Sequence, residues 1–146
     1  MGQFFLDRPE SRGLIKGWLD QPGMLGLRFP LVPPSQHTWH KDGTLDWLWP
    51  AAEREGIPIA LLAGRFLPEF RPIAERHPNL KLLIDHFGVD FRLHDAPAFA
   101  HIDELISLAR LPNVAVKATA AQNYSTEPYP FRNVHDYMHR IFDAYG

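Results

Sequence analysis

Twelve residues, His77-Pro78-Asn79-Leu80-Lys81-Leu82-Leu83-Ile84-Asp85-His86-Phe87-Gly88, constrain this chain more than any other stretch. Leu80, Leu82, Leu83 and Ile84 form a short apolar run closed off by Pro78 and Gly88. That is the pattern of a strand buried on both faces, as parallel strands between helices are. Asp85 and His86 fall where the strand ends. In parallel α/β folds the carboxyl ends of strands carry ligands and chemistry, so His86 is a candidate base or metal ligand. The plainer alternative is that a strand-end Asp or His only hydrogen-bonds a neighbouring loop.

Three more apolar runs share this character: Met24 to Val32, Ile57 to Ala63 and Asn113 to Thr119. Between them lie stretches with helical spacing. Leu14, Ile15, Trp18 and Leu19 follow a capping-box-like Asp7-Arg8-Pro9-Glu10 and stop at Pro22-Gly23. Leu45, Leu48, Trp49 and Ala52 predict a helix over 44–55, with Pro50 either kinking it or marking its true start. Further helices are expected over 68–76 and 97–110, the latter capped by Asp95, and at the end through Val134, Tyr137, Met138, Ile141 and Phe142. One helix followed by four βα units predicts a single α/β domain over residues 1–146, built on a parallel sheet with right-handed crossovers. At 146 residues the chain falls well short of the roughly 250 of a closed β/α barrel.

Charged residues inside such a scaffold need a reason. Arg28 interrupts an otherwise apolar strand and must find a partner. It either reaches a barrel mouth, where its planar fork suits a substrate carboxylate, or pairs with a neighbouring strand. Lys117 and Thr119 lie two residues apart at a strand end and so point the same way, both into a site or both out of it. The polar loop from Ala120 to Phe131 supplies Gln122, Asn123 and Tyr124, with Tyr124 a candidate substrate contact. His37 and His40 sit in a turn-rich loop where their spacing guarantees no shared face, which favours a solvated or substrate-lining role over metal ligation.

Composition narrows the partners. Lys plus Arg number 15 against 17 Asp plus Glu, a net charge of -2, so the chain lacks the basic footprint of a nucleic-acid or membrane-surface protein. A small molecule or a further subunit, including a homo-oligomer, is the expected partner. With no cysteine, any metal site must come from His and carboxylates. The N-terminal residues show no signal-like pattern and no run is long enough to span a membrane, so a cytoplasmic protein is expected.

Four landmarks in fixed order resemble one family: Gly26-Leu27-Arg28-Phe29; Glu53 through Ile59; Pro78 through Gly88 with its Asp85-His86-Phe87-Gly88; and Leu111 through Lys117. They are similar to the amidohydrolase-related metal-dependent hydrolases, in particular the branch containing pyrone dicarboxylate lactonase and fuconolactone-type hydrolases. The resemblance implies a partial TIM (β/α)8 barrel whose four units correspond to strands four to seven. Two further motifs of the family, a His-x-His pair ending the first strand and a Gly-Ser/Thr-Asp ending the eighth, are not in this sequence, so it looks like part of a longer protein. The strand-five His of metal-binding members is also missing from Ile57 to Ala63. By the same resemblance His86 matches the strand-six His, catalytic or metal-binding; Arg28 matches the strand-four Arg that holds a substrate carboxylate; and Lys117 matches a common strand-seven Lys.

What this implies is hydrolysis of a lactone or other small carboxylic ester by the complete protein, with or without a divalent metal, zinc being the first choice. Water would be activated by the absent strand-eight Asp, with His86 orienting or polarising the carbonyl. Non-oxidative decarboxylation is the near alternative. A non-catalytic open α/β binding domain is the distant one, although no Gly-rich phosphate loop follows any strand. The 146-residue chain alone is expected to be inactive.

Overall fold

In the computed structural model, residues 4–62, 64 and 67–146 are described. Four parallel strands of three residues each form one sheet in the order β1-β2-β3-β4, comprising β1 (Leu27–Phe29), β2 (Ile59–Leu61), β3 (Leu82–Ile84) and β4 (Val114–Val116). The register aligns Arg28 with Ala60, Ala60 with Leu83, and Leu83 with Ala115. All four strands lie inside the expected apolar runs, although Ala63, the last residue of the second run, falls outside the described residues. Pro30 follows β1 directly and has no N–H with which to extend the ladder. Gly26 precedes it because a Cβ there would meet the Pro58 carbonyl oxygen at 2.7 Å.

The helices between the strands are α1 (Leu48–Arg54), α2 (Leu67–Arg76), α3 (Asp95–Ala98) and α4 (Ile102–Leu108), and α5 (His135–Tyr145) follows the last strand. Their apolar residues Trp49, Phe70, Ile73, Leu105 and Ile141 join Leu27, Phe29, Ile59, Leu61, Leu82 and Ile84 in one core. The expectation of strands buried on both faces needs correction. Leu82 and Ile84 are buried while Leu83 between them is only half-buried, and β1 and β2 repeat this pattern. One face of the sheet is packed; the other, carrying Arg28, Ala60, Leu83 and Ala115, is partly open.

Three helical expectations also change. The first helix is instead two 3-10 turns, Pro9–Leu14 and Trp18–Asp20, because Gly17 takes a left-handed conformation (φ 74°) between them. The 44–55 helix starts only at Leu48, which puts Pro50 in its first turn, where proline is tolerated. The 97–110 helix is split into α3 and α4, and Asp95 does not cap it: its φ is 55° and its carboxylate turns to Thr126 and Asn133. Among the described residues no helix is long and apolar enough to cross a membrane.

Candidate active site

Arg28, in the middle of β1, meets Asp85 and Lys117, which lie just past the carboxyl ends of β3 and β4, so three charged side chains come together. Arg28 Nε donates to Asp85 Oδ2 at 2.6 Å, and Lys117 Nζ lies 3.6 Å from Asp85 Oδ1. Arg28 and Asp85 are not on adjacent strands: β2 lies between them, and strands are about 4.8 Å apart. The residue of β2 in register with Arg28 is Ala60, whose methyl leaves the side chain room to cross. Asp85 is completely buried, and among the described residues its Oδ1 accepts no hydrogen bond. Of the two readings of Arg28 that its position in a strand allows, an ion pair is present, but its partner is Asp85, next to His86, beyond the neighbouring strand β2 and not on it.

A left-handed turn aims His86. After Asp85 the backbone takes φ 50° at His86, 58° at Phe87 and 66° at Gly88. For the two non-glycine residues this costs on the order of 1 kcal/mol each, so neighbours must hold it. Lys117 N–H donates to the Ile84 carbonyl at 2.8 Å, Phe87 N–H to the Lys117 carbonyl at 3.3 Å, and the His101 ring to the Phe87 carbonyl at 2.9 Å. His86 Nδ1 is 2.7 Å from Thr119 Oγ1. Lys117 and Thr119 thus both reach the end of β3, one to Asp85 and the other to His86. In the tautomer whose Nδ1–H donates to Thr119 Oγ1, Nε2 is the nitrogen left to accept a proton or a hydrogen bond.

The remaining candidates make no hydrogen bond or ion pair with this cluster among the described residues, although Tyr124 is close enough to feel the charge of Asp85. Tyr124 is buried, edge-on to Phe99 with centroids 6.3 Å apart. Burial, reinforced by the negative charges of Asp85 and Asp90, pushes its phenol above the ordinary value and keeps it neutral. His37 pairs with the Val32 carbonyl at 2.7 Å, and His40 with Glu69 at 3.3 Å. Asp85 is the residue that pattern reading noticed without giving it a role. A lone Arg in a strand and a buried carboxylate at the end of another were the available signal.

Among the described residues no three His, Asp or Glu side chains are grouped to hold a metal ion. His86 offers one ring nitrogen beyond its bond to Thr119, and the adjacent carboxylate already faces two cations, an electrostatic setting that opposes a third. These residues do not by themselves fit a zinc site.

Comparison with known proteins gives the wider frame. An amidohydrolase from Burkholderia multivorans, solved with bound zinc, superposes with a TM-score of 0.79 at 20% identity over 100% of this chain and 54% of its own. The form solved with bound HEPES gives 0.75 at 22% identity with the same coverage. Amidohydrolase 2 from Bifidobacterium longum subsp. infantis gives 0.55 at 22% identity over 86% of this chain and 44% of its own. The chain therefore spans about half the length of the solved structures it matches, and its four βα units share the fold of that part of them, as a partial β/α barrel. No curated protein matches at a significant level. A family model described as amidohydrolase matches residues 5–146, and the chain belongs to that family.

Proposed function

We propose that these residues form the anion-anchoring part of a hydrolase site for a small, carboxylate-bearing lactone or ester. The observation that carries the reading is the convergence of Arg28 and Lys117 on the open side of the strand ends, beside an imidazole held in one orientation. Two cations against one buried carboxylate leave a net positive charge, which suits a substrate carboxylate and charge growing on a carbonyl oxygen. Arg28 anchors the substrate, Lys117 adds to the field, and His86 Nε2 orients the attacking water or polarises the carbonyl. His86 is also a candidate metal ligand, although among the described residues no others group with it to complete a site. The zinc in the Burkholderia structure is that protein's own.

The test is a pH-stat assay of the whole protein with carboxylated lactones and neutral lactones of the same ring. Acid release from the carboxylated set alone is expected. Arg28→Gln should raise KM by about tenfold or more, the worth of a charge-assisted hydrogen bond. Carbon dioxide release from carboxylated substrates, without ring opening, would establish decarboxylation instead. Equal turnover of neutral and carboxylated lactones would remove the anion-anchoring role.

A further inference from the structure

We propose that Asp85 is a positioning residue: it grips Arg28 by Nε so that the two terminal nitrogens of the guanidinium are presented, end-on, as the fork for a substrate carboxylate. This rests on the reading of the cluster as an anion anchor and names what makes the anchor directional.

The way the ion pair is made points here. An Arg–carboxylate pair serving stability alone gains most by being two-pronged, with two parallel N–H···O bonds. Asp85 accepts a single bond, at Oδ2 from Arg28 Nε, although among the described residues its second oxygen accepts none. Among the described residues neither Nη of Arg28 makes a hydrogen bond, and the Arg28 side chain is 31% exposed whereas that of Asp85 is 1% exposed. The carboxylate therefore holds the guanidinium by Nε, and the Nη pair, which makes no hydrogen bond among the described residues, is the part left to bind a ligand. Asp85 is itself fixed by the bonds that tie the ends of β3 and β4 together around Ile84, Phe87 and Lys117. Its Oδ1 faces Lys117 Nζ at 3.6 Å, which draws the second cation to the same place without closing a hydrogen bond.

Net charge and position make opposite predictions. If the cluster worked by charge alone, Asp85→Asn would remove its single carboxylate and tighten anion binding. If Asp85 works by holding Arg28, the same change weakens it.

The experiment titrates the 146-residue chain with sodium malonate, with neutral malonamide as control, and follows the Arg28 Nε–Hε signal by NMR. Wild type is expected to bind malonate saturably and malonamide not at all. Its Nε–Hε proton should stay protected from exchange in the bound state, because Asp85 keeps its hold while the Nη pair takes the ligand. Asp85→Asn should weaken binding by about tenfold or more, the worth of one charge-assisted hydrogen bond. Equal or tighter binding by Asp85→Asn overturns the proposal. So does loss of Nε–Hε protection in wild type on adding malonate, since the ligand would then be displacing Asp85; this second readout decides the matter if Asp85→Asn does not fold. Failure of the underlying reading looks different: wild type does not bind malonate, or Arg28→Gln binds it equally well, and the proposal falls with it. Binding that needs Arg28 and ignores Asp85 overturns the positioning role alone.

Discussion

Asn113 shows how one side chain can hold a whole corner. Its Nδ2 lies 3.1 Å from the Ala74 carbonyl, 3.0 Å from that of His77 and 3.1 Å from that of Leu80, binding the end of α2 to the strand that follows. Two amide hydrogens serve three acceptors, so at least one is shared. Asn113→Ala strands carbonyls in a part-buried place and should cost about 1–3 kcal/mol in urea unfolding; an unchanged midpoint would show that water replaces the amide at no cost. Close by, Glu53 accepts from the His77 ring at 2.9 Å and from the Asn79 backbone N–H at 2.9 Å. The His77 hydrogen bond first, and then the Asn79 one, hold its carboxyl below the ordinary value. A carboxyl with a folded-state pKa below its unfolded one stabilises the fold above the unfolded value and loses that contribution as pH falls through the folded value. Wild type should therefore be more stable than Glu53→Gln at pH 7, and the gap should close as the pH drops below about 4.3, the ordinary glutamate value. A gap independent of pH would mean that shape, not charge, matters at this position.

At the scale of elements, the long segment between β4 and α5 is organised from another part of the chain. Asp95, at the start of α3, accepts from Thr126 N–H at 2.9 Å, from Thr126 Oγ1 at 2.6 Å and from Asn133 Nδ2 at 2.5 Å. Asp95→Ala should leave the helices in place and open residues 120–133, read as faster amide exchange and faster proteolytic nicking there than in α4. Equal protection would show that Tyr124 packing on Phe99 holds the segment alone. This contact also marks where sequence reading stopped. The strands were legible because apolar runs between turn residues are local signals, and the site's cations were legible because charges inside such runs are conspicuous. Asp95 looked like a cap because caps are the commonest local use of an Asp before a helix. Its true partners are more than thirty positions away, and nothing in the neighbouring residues encodes them. Asp85 escaped assignment for the same reason, since pairing with Arg28 across an intervening strand depends on Ala60 being small.

Across the molecule, the sheet has one packed face and one open face, and neighbouring leucines in β3 separate them. Leu82 is 2% exposed and packs in the core, whereas Leu83 points to the half-buried face shared with Arg28, Ala60 and Ala115. That face borders a cavity of about 360 Å³ lined by Leu25, Gly26, Arg28, Pro58, Ala60 and Leu83, among others. Leucine-to-alanine substitution in a packed core costs about 2–5 kcal/mol, because a hole opens where neighbours cannot follow. Beside an existing cavity only part of the transfer term is lost. Leu82→Ala should therefore shift the urea midpoint strongly while Leu83→Ala costs about 1 kcal/mol or less in the 146-residue chain. In an eight-stranded barrel containing the same residues, the open face becomes the interior, where inward-pointing side chains fill the core in layers. There Leu83→Ala should rise into the range of Leu82→Ala. Comparing the two substitutions in the two lengths of chain measures how much of the fold's stability comes from closing the sheet; a small Leu83→Ala effect in both would show that this face stays loosely packed even when enclosed.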